Sequence, residues 1–437
     1  MKSIPLLFIS LWCILFVQTY IFAGVQTPPD IMSESAIVIE AKTGTILYEK
    51  NIHEQLPPAS ITKIMTAYLA LEFGKLDDII TFTDSAVFSI GRNSSHLWMV
   101  PDEEITLEQA LYGMLLQSAN EVSNGIAELI SGSIEDFAEL MTEKAHSLGA
   151  TKTHFTNPHG LHDEEHYTTA YDMALIAKEA IKNQRFKEII QTSLYEIPAT
   201  NKNDIRYLHN QHYMFSGCLK NPKFHYEGSL GGKTGYTDQA RHTLVTYASR
   251  NNMDLICVVL KSEKPLMYEE TTALFDYAFE QFSLVNIAEK NTTFAPIPLI
   301  YPKNKEPFDM IETTLENDVL VVLPKDAKVE DIRKTIILPY EVSESVKKHE
   351  TLGEIVYFLD DQLLTKSPIV SKKNYELPPI ESFGIPQSDP NISNSSIPSA
   401  STHILRLPIM IILILILLSG LFFVLSIFSS QRSLSKR

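Results

Sequence analysis

The stretch Pro57-Pro58-Ala59-Ser60-Ile61-Thr62-Lys63-Ile64-Met65-Thr66 decides how this sequence is interpreted. Its apolar residues continue beyond Thr66 at spacings of three and four, which predicts a helix that begins at about Ser60 and buries one face. Residues three apart lie on one helix face, with Cβ atoms about 5–6 Å apart, so the Lys63 amine can reach the Ser60 hydroxyl. The stretch therefore predicts a serine nucleophile with a lysine base. The same pattern is common by chance, and Ser60 also fits an ordinary helix N-cap.

Strand patterns lie at both ends of the region around this helix, and its middle is mostly helical. Alternating apolar residues around Lys42-Thr43-Gly44 predict one hairpin, and Arg250-Asn251-Asn252 separates the two strands of another. Thr106 and Gln109 resemble a capping box that opens a helix. The region is therefore an α/β domain. The predicted elements are a hairpin over Ala36 to Asn51, helices ending at Leu116 or spanning Glu121 to Ser131, Ile134 to Leu148 and Tyr268 to Phe282, and strands over Thr243 to Ser249 and Leu255 to Leu260.

A second, small β-rich domain is predicted over residues 290–380. Its short apolar runs, Val319 to Leu323, Ile336 to Leu338 and Ile355 to Leu359, are separated by charged or proline-containing turns. Its acidic residues lack the spacing of metal ligands. This domain is therefore not expected to carry the chemistry.

The N-terminus has the pattern of a secretory signal. Met1-Lys2 is followed by an apolar run from Ile4 to Phe22 and then by Ala23-Gly24. This pattern predicts a signal peptide over residues 1–23. An uncleaved anchor is the alternative, because the apolar run is long for a signal peptide.

The C-terminus has the pattern of a membrane anchor. The segment Leu407 to Phe428 carries no charge and is long enough to cross about 30 Å of hydrocarbon as a helix. A linker rich in Ser, Pro and Asn (384–403) precedes it, and a basic tail (429–437) follows it. By the positive-inside rule, the tail is expected in the cytoplasm and the main domain on the extracytoplasmic side of the membrane, with a single span.

Composition narrows the classes of function. The 437 residues include 17 glycines and 23 prolines, which excludes wholesale disorder and collagen-like repeats. The formal net charge is −16, which disfavours nucleic acid as a partner. The cysteines, Cys13, Cys218 and Cys257, have no C-x-x-C spacing, which argues against a zinc ribbon or a thioredoxin-like motif.

Two later motifs belong with Ser60 and Lys63. They are Ser118-Ala119-Asn120 and Lys233-Thr234-Gly235, and each alone is a weak signal. A lysine with the usual pKa of about 10.4 accepts a proton at neutral pH only if burial or a neighbouring cation favours its neutral form. Lys233 is the candidate for that cation. The backbone amide of Ser60, at the helix N-terminus, can stabilise an oxyanion.

In this order and at these spacings, the three motifs resemble those of the serine penicillin-binding proteins and β-lactamases. The resemblance implies that the strand bearing Lys233 forms one wall of the cleft. It further implies that the amide of Tyr236, just after Gly235, completes the oxyanion hole. Lys233 and Thr234 would hold the terminal carboxylate of the substrate.

Longer stretches narrow the resemblance to the low-molecular-weight penicillin-binding proteins that are serine-type D-alanyl-D-alanine carboxypeptidases. Besides the first stretch, these are Asn157 to His162, Tyr167 to Ala174 and Gly232 to Thr237, within a domain placed at residues 30–285. The resemblance implies a β-lactamase/transpeptidase-like fold, an antiparallel sheet flanked by helices with a helical subdomain. It implies a bacterial membrane enzyme that removes the terminal D-alanine from peptidoglycan pentapeptide stems and is acylated by penicillins. It implies no metal and no cofactor.

Three features depart from the family pattern. Ala119 stands where the family usually has glycine, so its methyl group is expected to shift Ser118 and Asn120 slightly. Glu121 stands where aspartate is common. Arg241 and His242 occupy positions that are often small; they either change substrate preference at the edge of the cleft or form a solvated turn.

Other functions fit the same motifs. A β-lactamase of class A needs a glutamate base in an E-x-x-L-N context, and no such string lies between Asn120 and Lys233. A DD-endopeptidase or a transpeptidase differs only in the bond or acceptor used, and the sequence leaves that choice open. A non-catalytic wall-binding module remains the alternative outside enzymes.

Two further groups of residues, four histidines and two cysteines, give weaker signals of a metal site and of a disulfide. The spacing of His154, His159, His162 and His166 matches neither a helical H-E-x-x-H motif nor a zinc-finger pair, so a metal site is not expected there. A disulfide between Cys218 and Cys257 is permitted in an exported protein, but its geometry is not readable from sequence.

Overall fold

The computed structural model describes residues 27–91, 93–218 and 220–377. The predicted signal peptide, linker, transmembrane segment and basic tail lie outside these residues. Within them, no helix is both long and apolar enough to cross a membrane. This finding contradicts the predicted single-pass location in the bacterial cell membrane, and that prediction is corrected here to the statement that the described residues contain no such helix.

The first domain is built on an antiparallel sheet of strand order β2-β1-β9-β8-β7. Helices pack on both faces of this sheet. The strands of the domain are β1 (Ser35–Glu40), β2 (Ile46–Lys50), β3 (Ile79–Thr81), β4 (Glu104–Thr106), β5 (Leu194–Ile197), β6 (Arg206–His209), β7 (Ser229–Thr237), β8 (Arg241–Arg250) and β9 (Met253–Ser262). The helices are α1 (Lys63–Phe73), α2 (Asp84–Phe88), α3 (Leu107–Gln117), α4 (Asn120–Ser131), α5 (Ile134–Ser147), α6 (Ala170–Ala180), α7 (Gln184–Ile190) and α8 (Leu266–Gln281).

Strand β1 shows why both faces of the sheet are covered. Successive side chains of a strand point to opposite faces, and here both sets are apolar. Ile37 packs in the core formed with α1, α3 and α4, whereas Val38 packs in the core formed with α8. A sheet buried on both faces holds the strands that carry the site rigidly between two helical layers.

The predicted hairpins are confirmed. The strands β1 and β2 pair in antiparallel fashion, and so do β8 and β9. Asn251 and Asn252 both have positive φ, 53° and 62°, which asparagine tolerates better than most residues and which a tight hairpin turn requires. The capping box is also confirmed, because Thr106 and Gln109 cap each other's backbone groups at the start of α3.

The helix predicted to begin at about Ser60 has two parts. Residues Ala59–Thr62 form a 3-10 turn, and α1 follows from Lys63. Ser60 therefore lies in the turn that leads into the helix. The helices α2, α6 and α7 were not predicted individually.

The second domain is β-rich, as predicted. Its main sheet has the order β13-β17-β16-β15, and two strand pairs, β10-β14 and β11-β12, complete it. Its strands are β10 (Phe282–Ala288), β11 (Ile297–Ile300), β12 (Pro307–Ile311), β13 (Thr313–Leu315), β14 (Val319–Pro324), β15 (Arg333–Ile337), β16 (Thr351–Leu359) and β17 (Gln362–Ser371).

Candidate active site

Ser60 is held at the mouth of a cleft by the backbone around it. The preceding residue, Ala59, has a φ of +51°, which bends the chain sharply before the 3-10 turn. Thr243 on β8 donates a hydrogen bond of 2.8 Å to the carbonyl oxygen of Pro58. The Ser60 side chain is half-buried, so it remains reachable from solvent.

Lys63 lies directly beneath Ser60 and is fully buried. Its Nζ is 3.1 Å from Ser60 Oγ and 2.6 Å from both the Asn120 side-chain oxygen and the His159 carbonyl oxygen. The two carbonyl oxygens can only accept hydrogen bonds. A neutral amine satisfies both with its N–H groups and points its lone pair at the Ser60 hydroxyl, which is the arrangement that a general base needs.

Burial lowers the pKa of Lys63 well below its usual value, and the Lys233 ammonium lowers that pKa further, against a smaller opposing effect of Glu121. Lys233 is thus the neighbouring cation that the sequence predicted. In the structure, the removal of Lys63 from water is the larger cause of its lowered pKa, and the Lys233 cation is the smaller one. Both effects favour the neutral amine.

Ser118 and Asn120 face the cleft from the junction of α3 and α4. Ser118 ends α3 with a φ of +62°, and Asn120 is the first residue of α4. Ala119 between them has a φ of −60°, which any residue adopts, and its methyl group is buried. The junction therefore does not require glycine at this position.

Lys233 approaches the same point from β7. Its Nζ donates to Ser118 Oγ at 3.1 Å and to the Thr234 carbonyl oxygen at 2.8 Å. Burial lowers the pKa of Lys233 to about 7. The lysine therefore carries only part of a positive charge at neutral pH until an anion binds beside it.

Strand β7 offers its outer edge to the cleft, because it is the last strand of its sheet. A Cβ atom at Gly235 would lie 2.8 Å from the Ser60 amide nitrogen, so only glycine lets the strand approach the nucleophile this closely. The backbone of Tyr236 follows at once. Its side chain is about half exposed, and its ring centroid lies 4.7 Å from that of His242.

The structure thus brings Ser60, Lys63, Ser118 and Asn120 together with the strand that carries Lys233, Thr234, Gly235 and Tyr236. Arg241 and His242 were predicted at the edge of the cleft. His242 packs on Tyr236, and Arg241 forms an exposed bidentate pair with Glu263. The catalytic roles of these residues stay predictions.

The loop after α5 contributes residues for which the sequence predicted no role in the site. Gly160 has a φ of +85°, and a Cβ atom there would overlap the Ala59 carbonyl oxygen. Asn157 holds the turn by accepting a hydrogen bond of 2.7 Å from the Gly160 amide. The signal was present in the Asn-Pro-His-Gly string, but sequence alone does not say that the His159 carbonyl meets Lys63.

His166 supports the nucleophile through a chain of hydrogen bonds. Its Nδ1 accepts from the Thr156 amide at 3.0 Å, which leaves Nε2–H to donate to Thr62 Oγ1 at 2.9 Å. Thr62 in turn donates to the Ala59 carbonyl oxygen at 2.8 Å. Burial lowers the pKa of His166 to about 3, so the ring is neutral at physiological pH.

The four histidines of this loop do not converge. His166 and His159 point inward, His154 bonds the Glu165 carbonyl oxygen, and His162 lies near the exposed Glu164. In the part of the chain that the structure describes, no cluster of three or more potential metal ligands occurs. Cys218 and Cys257 are both buried free thiols, so they do not form a disulfide.

Comparison with known proteins decides the family. Residues 23–264 match the family model of the D-alanyl-D-alanine carboxypeptidases (peptidase S11). The chain belongs to this family. Residues 282–377 match the model of the C-terminal domain of penicillin-binding protein 5.

Individual relatives agree with this assignment. D-alanyl-D-alanine carboxypeptidase DacF of Bacillus subtilis is 34% identical over 348 residues, 78% of this chain and 85% of the relative. DacA of Escherichia coli is 29% identical over 366 residues, 82% of this chain and 86% of the relative. The predicted family is confirmed, and so is the class of enzyme, a serine-type D-alanyl-D-alanine carboxypeptidase.

Solved structures bear out the fold. Penicillin-binding protein 5 from Haemophilus influenzae matches with a TM-score of 0.68 at 24% identity, covering 80% of this chain and 100% of that chain. D-alanyl-D-alanine carboxypeptidase from Mycobacterium tuberculosis matches with a TM-score of 0.54 at 29% identity, covering 59% of this chain and 94% of that chain. The transpeptidase-like α/β fold with a C-terminal β domain is therefore confirmed.

Proposed function

We propose that this enzyme removes the terminal D-alanine from peptidoglycan pentapeptide stems through an acyl-enzyme on Ser60. The contact between Lys63 Nζ and Ser60 Oγ, 3.1 Å long in a site that keeps the lysine neutral, carries the proposal. Lys63 accepts the Ser60 proton as the oxygen attacks the carbonyl carbon of the penultimate D-alanine.

The breakdown of the tetrahedral intermediate completes acylation. The bond to the terminal D-alanine breaks, and Lys63 returns the proton to the leaving amine. The product is an ester between the shortened stem and Ser60, together with free D-alanine. A water molecule then attacks this ester with Lys63 again as base, which regenerates the Ser60 hydroxyl.

The cleft binds the substrate through backbone hydrogen bonds and through the attraction between Lys233 and the terminal carboxylate. The free edge of β7 suits an extended peptide that adds as a further strand. The amides of Ser60 and Tyr236 are the proposed oxyanion donors, because the close approach at Gly235 places β7 beside the Ser60 amide. Lys233, with Thr234, holds the terminal carboxylate, whose charge stabilises the protonated form of this lysine.

Asn120 and Ser118 position these groups. The Asn120 side chain accepts a hydrogen bond from Lys63 Nζ, so it fixes the amine against Ser60. Ser118 Oγ accepts from Lys233 Nζ and thereby aims the cation into the cleft. A penicillin presents a carboxylate and a reactive amide in the same relation as the stem, so it is expected to acylate Ser60.

D-alanine release from a pentapeptide stem tests the proposal. The wild-type chain releases D-alanine, and Ser60→Ala abolishes release while the protein remains folded. Lys63→Ala lowers the rate by about 10²- to 10⁴-fold, the usual contribution of a general base. Ser147→Ala, at an exposed serine on α5, is the matched control and retains full activity. Turnover retained by Ser60→Ala would refute the assignment of the nucleophile.

A further inference from the structure

A groove lies beside the catalytic cleft, between the segment that precedes β4 and the β5-β6 hairpin. We call it the Trp98 groove. Its lining includes Trp98 from the segment before β4, Asp204, Arg206 and Tyr207 from the β5-β6 hairpin, and Gln117 from the end of α3. Its volume of about 420 Å³ is within the range of small-molecule sites, about 300–1,000 Å³.

Two large aromatic side chains of this groove are exposed. Trp98 is 69% exposed and Tyr207 is 56% exposed. Trp98 also has a φ of +61°, a backbone conformation that a bulky residue seldom adopts. Strain of this kind persists where the surrounding structure enforces it, and it concentrates at functional sites. The Trp98 ring stacks on His96, with centroids 5.3 Å apart, which fixes its orientation.

Buried carboxylates hold both walls of the groove in place. Glu121 is fully buried on α4 and accepts a hydrogen bond of 2.6 Å from the Leu97 amide, beside Trp98. Glu103 is fully buried as well and pairs with Arg206 at 2.8 Å. The two walls are therefore preorganised, so a ligand would not have to order them on binding.

The groove also adjoins the catalytic residues. Gln117 directly precedes Ser118, and the Asn120 amide donates a hydrogen bond of 2.9 Å to the carbonyl oxygen of Ser95, three residues before Trp98. The lining of the groove is therefore continuous with the motif that carries Ser118 and Asn120.

The chemistry of the lining suits a sugar. One face of a pyranose ring consists of C–H groups that pack on a flat aromatic ring, and its edge carries hydroxyl groups that need hydrogen-bond partners. Trp98 and Tyr207 supply aromatic surface, and Asp204 supplies an exposed carboxylate acceptor.

We propose that the Trp98 groove binds an N-acetylated hexosamine of the peptidoglycan glycan strand, while the stem peptide attached to that strand lies at Ser60. This inference rests on the proposed peptidoglycan substrate. It goes further by assigning part of the recognition to the sugar.

Direct binding tests the groove without any turnover. The sequence contains two tryptophans, Trp12 and Trp98, and 18 tyrosines, so a full-length chain with Trp12→Phe and Ser60→Ala, excited at a wavelength that tyrosine does not absorb, reports tryptophan emission from Trp98 alone. Titration with the disaccharide N-acetylglucosaminyl-N-acetylmuramic acid, without peptide, is expected to give a saturable change in emission. Tyr207→Ala weakens that binding by about 3- to 10-fold, the range for one aromatic contact. Tyr340→Ala, at a tyrosine 90% exposed in the second domain, is the matched control. No saturable change would overturn the proposal.

Kinetics separate this proposal from the proposed function. The ratio of kcat/KM for a disaccharide pentapeptide to kcat/KM for the free pentapeptide is expected to fall about 3- to 10-fold in Tyr207→Ala and to stay constant in Tyr340→Ala. An unchanged ratio in Tyr207→Ala would contradict a sugar subsite. Release of D-alanine from both peptides with no binding of the disaccharide overturns the groove alone. Binding of the disaccharide without D-alanine release supports the groove and refutes the carboxypeptidase mechanism.

Discussion

The burial of Lys233 predicts a measurable dependence of stability on pH. Its pKa is about 7 in the folded protein and about 10.5 in the unfolded chain. Between these values the unfolded chain keeps a proton that the folded protein has lost, so the free energy of unfolding rises with pH. From pH 7 to about pH 9.5 the contribution of this lysine amounts to about 3 kcal/mol.

The Lys233→Met variant isolates this contribution. Urea unfolding of the full chain is followed at pH 7 and at about pH 9.5, for the wild type and for the variant. Titrating groups away from Lys233 are common to both proteins and cancel in the difference between the two free energies of unfolding; Lys63 and His212, whose pKa values Lys233 lowers, are the groups that do not cancel. We expect that difference to move by about 3 kcal/mol in favour of the wild type over this range. Lys75→Met, at an exposed lysine, controls for the loss of one positive charge.

The same lysine is expected to set the alkaline limb of catalysis. Because the terminal carboxylate needs the protonated form of Lys233, kcat/KM of the wild type should fall above about pH 7, the pKa of the free enzyme. A difference in stability that does not vary with pH, together with a kcat/KM that stays flat to pH 9, would refute the reasoning.

Three further substitutions probe the support of the site. Gly160→Ala would force the chain away from the Ala59 carbonyl oxygen, and a displacement of about 1 Å at the nucleophile is expected to slow acylation by fluorescent penicillin about 100-fold; an unaltered rate would contradict this contact. His166→Ala removes the donor that orients Thr62 and is expected to slow acylation, whereas His166→Gln, which can still donate, should recover part of the rate; equal rates in the two variants would argue against the hydrogen-bond chain. Glu103→Ala leaves a largely buried guanidinium unpaired, so urea unfolding should show a loss of about 3–5 kcal/mol, and a loss below about 1 kcal/mol would show that the pair is not needed.

The sequence predicted those features that depend on local patterns. The turn of Asn251 and Asn252, the capping box of Thr106 and the Ser60-Lys63 spacing each follow from residues close together in the chain. Their physical causes, positive φ, side-chain capping and the helical repeat, act over a few residues. These are therefore the elements in which sequence and structure agree.

What the sequence did not predict depends on contacts between distant segments. The His159 carbonyl oxygen meets Lys63 from 96 residues away, and the close approach of β7 to the Ser60 amide needs the whole sheet. The order of causes for the Lys63 pKa was also not readable, because burial is a property of the folded chain. The expected shift from the Ala119 methyl group stays a prediction; which residue of that junction has a positive φ was also not readable, and in the structure it is Ser118.

The location of the acyl group tests the central claim most directly. The full chain is incubated with penicillin, digested and analysed by mass spectrometry, with Ser60→Ala in parallel. The account predicts one penicilloyl adduct, on the peptide that contains Ser60, and no adduct in the variant. An adduct on another residue, or labelling that persists in Ser60→Ala, would contradict it.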